Sequence, residues 1–175
     1  MIFHDTEVPG AYLIELEKIE DERGFFARAF CQNEFGRVGL SAQFAQCNIC
    51  FNRRRGTLRG MHWQAAPHGE ARLVRCIRGA AYDVLLDLRR NSPGFGKWMS
   101  VELTAENRSA VHIPEGVAHG FQTLADDTEM LYQMSEFYEP THARGVRWDD
   151  PSFRIEWPIQ NPILSEHDRS HALWV

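Results

Sequence analysis

The sequence predicts an all-β fold, a jelly-roll sandwich or barrel, on three observations. Most segments are short and rich in β-branched and aromatic residues. Turn signals recur about every ten residues, as at Arg78-Gly79, Asn91-Ser92-Pro93-Gly94 and Ala125-Asp126-Asp127. Only Asn33 to Gly39 breaks the pattern, reading as a short helix that ends at Gly36 or Gly39.

Strands are expected in order along the chain. Tyr12–Leu16 follows Gly10, and Gly24–Phe30 opens on a glycine and is rich in phenylalanine. Gln43–Phe51 reads as extended text, and the Gly79 turn divides Leu73–Arg78 from Ala80–Leu88. Trp98–Leu103 follows the Asn-Ser-Pro-Gly turn, and Ser109–Ile113 stops at Pro114. Gly120–Leu124 and Thr128–Met134 flank Ala125-Asp126-Asp127, and the tail after Pro158 reads as a loop-rich closure with one helical turn. The interior of such a barrel is where a small ligand would sit.

The 175 residues, 43% hydrophobic and 25% charged, have enough length for one well-covered core, so residues 1–175 are expected to form a single domain. There is no linker, low-complexity tract or strict internal repeat. The N-terminus lacks a basic region followed by an apolar run, and no stretch approaches the roughly 18 apolar residues of a membrane helix. A soluble, cytoplasmic protein is expected. A net charge of -5 argues against a nucleic-acid duplex as partner. Arg53-Arg54-Arg55 reads as a solvated turn ending at Gly56. Cys47 and Cys50 form a C-x-x-C, but on a strand residues three apart point to opposite faces, so with Cys31 and Cys76 they are expected to be free thiols.

The stretch GTLRGMHWQ nearly carries the His-x-His pair of a metal-dependent cupin, but Gln64 replaces the second histidine. His62, Glu70 and His119 of Pro114-x-Gly116-x-x-His119, with His68 nearby, could still furnish ligands. Gln64 is a weak neutral oxygen donor, which makes the set poor for a first-row metal. Freed from metal, His62 suits a general base, with Asp168 or Asp83 as the carboxylate that orients it. Arg59, inside the histidine motif, has a guanidinium fork that could hold phosphate oxygens. Tyr132 shares a strand face with Met130 and Met134, and alone it reads, like Tyr138, as a core aromatic. Arg72 alternates with Val74 and Cys76, so it points into the barrel, where a cation needs an anionic partner.

Taken together, DERGFFARAF, QCNICFNRRRGTLRGMHWQ, ARLVRCIRG, YDVLLDLRRNSPGFGKW, ELTAENR, IPEGVAHGFQTL, LYQMSEFY, WDDPSFRIEWP and LSEHDRS resemble the dTDP-4-dehydrorhamnose 3,5-epimerases and their nucleotide-sugar relatives, almost end to end and in order. The resemblance implies a cupin-like jelly roll and a homodimer with residues crossing between subunits. It also implies a reaction that needs neither metal nor cofactor. The implied substrate is a nucleoside-diphosphate 4-keto-6-deoxyhexose, epimerised at carbon 3, carbon 5 or both.

By the same resemblance His62 is the base held by Asp168, Tyr132 the acid on the opposite face, and Arg72 the group that steadies the enolate oxygen. His119 and Arg59 meet the sugar oxygens and diphosphate. Arg23, Phe26, Gln46, Asn48 and Tyr138 meet the nucleotide, with Arg23 and Phe26 arriving from the partner subunit.

Two positions depart from the family pattern. Arg72 stands where a lysine is usual; it can still supply charge-assisted hydrogen bonds but cannot release its proton near neutral pH. Arg28 stands where relatives often carry an acid, which leaves the nucleotide base open. Two alternatives follow from the residues: a metal-dependent cupin enzyme built on His62, Glu70 and His119, and a non-catalytic nucleotide-sugar binding module suggested by Arg72.

Overall fold

The structure, a computed structural model, describes residues Met1–Trp174. Thirteen strands and two short helices follow one another: β1 (Ile2–Asp5), β2 (Tyr12–Glu15), β3 (Lys18–Asp21), β4 (Gly24–Ala27), α1 (Gln32–Arg37), β5 (Gln46–Asn52), β6 (Leu58–Gln64), β7 (Arg72–Arg78), β8 (Ala80–Asp87), β9 (Trp98–Thr104), β10 (Ala110–Ile113), β11 (Val117–Thr123), β12 (Thr128–Met134), β13 (Ala143–Gly145) and α2 (Glu166–Arg169). A six-stranded sheet in the order β1-β2-β10-β7-β12-β5 faces a five-stranded sheet in the order β13-β6-β11-β8-β9, and β3 and β4 form a separate ribbon. Every strand pairing is antiparallel, as a jelly roll requires.

Three apolar layers hold this sandwich. Val74, Val111 and Met130 of the first sheet meet Leu85 and Phe121 of the second between the sheets. Behind the second sheet, Val84 and Leu86 of β8 are covered by Phe153 and Trp157 of the C-terminal segment. Strand β8 is therefore buried on both faces, which accounts for its nearly unbroken apolar text. Behind the first sheet, Phe35 of α1 packs on Ile14 and Leu73. Part of that outer face is open: Ile49, Phe51 and Ile77 remain 64%, 43% and 41% exposed.

The strand at Thr128–Met134 lies where the sequence places it, and most others differ by a few residues at their ends. Four strands escape a reading by propensity. β1, β3 and β13 are short and carry few β-branched residues. β6 contains Arg59, Gly60 and His62 in place of an alternating apolar pattern. The four cysteines are free: Cys47 is exposed, whereas Cys50 packs toward the core, so the two thiols diverge as expected. No helix among the described residues is long and apolar enough to cross a membrane.

One local constraint sets the floor of the sandwich. His119 of β11 pairs with His62 of β6, but Phe121, two residues on, pairs with Arg59, three residues back. β6 therefore holds one extra residue, a bulge that turns Arg59 and His62 to the same side. Gly60 sits there at φ +139°, and a Cβ on it would lie 2.5 Å from the Gly120 Cα. Only glycine fits this backbone region and this approach. Gly60→Ala is expected to destabilise the protein by roughly 3 kcal/mol; a urea midpoint unchanged from wild type would contradict the constraint.

Candidate active site

The bulge opens onto a cavity of about 760 Å³ between the two sheets. From the five-stranded sheet it is lined by Arg59, His62 and His119, and from the six-stranded sheet by Asn48, Arg72 and Tyr132. Tyr138 stands near its mouth, 62% exposed, and Asp168 enters from the C-terminal tail.

His62 is supported from the C-terminal tail. Its Nε2 lies 2.6 Å from Asp168 Oδ1. Asp168 arrives because the tail is clipped to β6: the Leu58 amide donates to the Ile163 carbonyl at 2.9 Å and Ser165 caps α2 by accepting from the Asp168 amide at 3.1 Å. Burial pushes the Asp168 carboxyl upward, but the His62 hydrogen bond and charge, with Ser165 and His171, outweigh it and leave the pKa below the ordinary value. Asp168 stays a carboxylate near neutral pH. It therefore accepts from His62 Nε2–H and leaves the ring's lone pair on Nδ1.

Asp83, the other candidate partner for His62, belongs to a different pair. It is fully buried behind the cavity wall, and its Oδ2 lies 2.8 Å from His119 Nε2. Burial raises its pKa, with His119 and Arg72 pulling it back. Asp83 thus fixes the His119 ring and does not itself line the cavity.

Tyr132 faces His119 from the opposite sheet, with ring centroids 5.9 Å apart. Its phenol is held well above its usual pKa, chiefly by burial and then by Cys50 and Asp83, with Arg72 and Arg59 opposing. It remains a protonated phenol across the neutral range, which is the state a proton donor needs.

Arg72 does point inward, and its anionic partner is Glu70: Nε donates to Oε1 at 2.9 Å and Nη2 donates to the same carboxylate. Nη1 donates to the His62 carbonyl at 3.1 Å, so the guanidinium also braces the strand that carries His62. Three of its five N–H bonds are engaged, and two remain for a substrate oxygen. Arg59 is held by Asn52, whose Oδ1 accepts from Nε at 2.8 Å.

The metal-ligand reading of GTLRGMHWQ meets engaged donors. Glu70 is tied to Arg72 and His119 to Asp83. Gln64 is a brace: its Nε2 donates to the His68 and Phe137 carbonyls at 2.9 and 3.1 Å, and its Oε1 accepts from the Glu139 amide at 2.6 Å. It fastens the loop bearing Tyr138 with two donated bonds and one accepted, one donor more than a neutral histidine has. Gln46 helps from the other strand, accepting from the Tyr138 amide at 2.6 Å, and does not line the cavity.

Arg23 and Phe26 lie away from the cavity on the β3–β4 ribbon. Phe26 is 72% exposed, and Arg23 pairs with Asp21 in the turn. Arg28 is likewise distant, its Nη1 donating to Glu34 at 3.0 Å. The sequence reading missed His167 and His171, which stand beside His62 on the tail. Two more histidines near Asp168 in LSEHDRSH were the available signal.

A jelly-roll cavity with a histidine–carboxylate pair on one wall and a buried phenol on the other defines a cupin-like enzyme equipped for proton transfer. Residues 5–175 match the family model described as dTDP-4-dehydrorhamnose 3,5-epimerase. The chain is 45% identical over 164 residues to a dTDP-4-dehydrorhamnose 3,5-epimerase of Shigella flexneri, covering 93% of this chain and 90% of that one. Among solved structures it is similar to a dTDP-4-dehydrorhamnose 3,5-epimerase of Bacillus anthracis with TDP and PPi bound, at a TM-score of 0.95 and 36% identity over 99% of each chain. It is also similar to a 3'-monoepimerase of Streptomyces bikiniensis in complex with dTDP-quinovose, at a TM-score of 0.87 and 35% identity, covering 94% of this chain and 84% of that one. The chain belongs to the dTDP-4-dehydrorhamnose 3,5-epimerase family, and it is an isomerase. Neither the metal-dependent cupin nor the non-catalytic module finds support among these relatives.

Replacing Gln64 by Leu would strand two carbonyls and an amide. The expected loss is about 1–3 kcal/mol of stability. A thermal midpoint equal to wild type would show that the brace is dispensable.

Proposed function

We propose that the chain inverts carbon 3, carbon 5 or both of a nucleoside-diphosphate 4-keto-6-deoxyhexose, of the dTDP-4-dehydro-6-deoxyglucose type. The observation that carries this reading is the placement of His62–Asp168 and Tyr132 on opposing sheets of one cavity. A ketone at carbon 4 acidifies the hydrogens on both neighbouring carbons. His62 takes one of them through its free lone pair, and Asp168 stabilises the imidazolium that forms. The electrons move into an enolate whose oxygen receives the two spare N–H bonds of Arg72. Tyr132 returns a proton from the opposite face, and the centre inverts.

His119, steadied by Asp83, and Arg59 hold sugar and diphosphate oxygens in this scheme. Asn48 and Tyr138, with Gln46 setting the Tyr138 loop, border the nucleotide. The relatives that carry TDP or a dTDP-sugar support thymidine as the base. The same relatives include a 3'-monoepimerase on this fold, so architecture alone does not fix the number of centres.

A homodimer completes the site. Arg23 and Phe26 point away from their own cavity on an exposed ribbon, and Ile49 and Phe51 lie bare on the edge strand β5. An apolar face of this kind is what a second copy would cover, and it would bring the partner's ribbon to the nucleotide. The enzyme acts in the cytoplasm, supplying deoxysugar for a cell-surface polysaccharide or a glycosylated metabolite.

The test is NMR of dTDP-4-keto-6-deoxyglucose in deuterated water with wild type and His62→Ala. Wild type is expected to place deuterium at carbon 3, carbon 5 or both with inversion. His62→Ala should lose ~10²–10⁴-fold of the exchange at every active centre with the fold intact. Exchange in His62→Ala near the wild-type rate would remove His62 as base.

A further inference from the structure

The tail that delivers Asp168 also delivers two histidines the proposed reaction does not use. His62, His167 and His171 each offer a ring nitrogen, and the three atoms lie within 4.8 Å of one another. The rings form a tight group, with centroids 4.7 Å apart for His167–His171 and 5.4 Å for His62–His171. We propose that these imidazoles form a binding site for a divalent transition ion of the zinc class, and that its occupation withdraws His62 from proton transfer.

Three observations support a built site. His171 packs its ring directly on the Gly145 backbone of β13, where a Cβ would lie 2.2 Å from the ring and displace it. Its Nε2 is buried with no hydrogen-bond partner, Asp168 Oδ1 being 3.9 Å away. An orphaned buried nitrogen costs about 1–3 kcal/mol unless something engages it. Finally, Asp168 already hydrogen-bonds His62, the carboxylate–histidine arrangement that orients imidazoles toward metal ions.

Donor chemistry selects the ion. Neutral imidazoles favour zinc, cobalt, nickel or copper over the hard cations magnesium and calcium. A tetrahedral ion with bonds near 2.0–2.1 Å brings its nitrogens to about 3.3 Å, leaving a fourth position for water. His167 is exposed on a single-turn helix and is free to swing through that difference.

The functional consequence rests on the reading of His62 as base; the metal site does not. A neutral imidazole has one basic lone pair. An ion that takes it leaves nothing to accept the substrate's proton, whichever ring nitrogen is used.

Untagged, metal-free enzyme titrated with Co²⁺ and followed by its visible absorption, with Zn²⁺ as competitor, reads the site without substrate. Uptake of one ion per chain is expected, with His167→Gln and His171→Gln each weakening it ~10-fold or more. In parallel, Co²⁺ should abolish solvent exchange at the same half-saturation, and a chelator should restore it. His167→Gln should keep near wild-type exchange without metal, and the inhibiting concentration should rise by the same factor as the binding constant. No uptake, or wild-type affinity in both variants, overturns the site. Histidine-dependent uptake with undiminished exchange overturns the withdrawal of His62. If metal-free wild type shows no exchange yet binds Co²⁺ through these histidines, the epimerase reading fails and the metal site stands.

Discussion

The close approach of β6 and β11 at Gly60 and Gly120 is the constraint on which the site depends. On a regular strand Arg59 and His62 would face opposite ways. The extra residue in β6 gives both of them to the cavity, and it is possible only where neither backbone carries a side chain at the crossing. The glycines of RGMH and AHGF are thus geometric requirements, and the residues beside them inherit their positions from that geometry.

A second dependence runs through the tail. Asp168 is more than a hundred residues from His62, and its arrival rests on the bridge between Thr57 and Ile163, the Ser165 cap and the cover of Phe153 and Trp157 over β8. The six-stranded sheet meanwhile holds Tyr132 and Arg72 rigidly through β7 and β12, whose register sets Met134 opposite Arg72 and Tyr132 opposite Val74. Tyr132 and His62 are therefore mounted on separate sheets, and the space between them is fixed by the apolar layer that packs those sheets. In the proposed mechanism this spacing is what allows a proton to leave one face and return to the other.

Much of this was legible in the residues. The all-β class followed from short β-rich segments and regular turns, and the inward direction of Arg72 from its alternation with Val74 and Cys76. The pairing of His62 with Asp168 was narrowed to two carboxylates, and packing decided between them: Asp83 lies on β8, behind His119, whereas Asp168 comes over the cavity rim. Local sequence could not reveal the bulge, because its signal is two glycines on strands about sixty residues apart. Nor could it show that Gln64 is a three-way brace, since its partners belong to loops whose course depends on the tertiary fold.

The division of labour between the two walls is tested most directly by the stereochemical outcome of Tyr132→Phe. With dTDP-4-keto-6-deoxyglucose in deuterated water, the account predicts that net inversion falls much more than the loss of substrate hydrogen, since His62 still abstracts and can return a proton to the face it came from. Equal loss of both would contradict it, and would make Tyr132 a group that positions the substrate instead of one that delivers the proton.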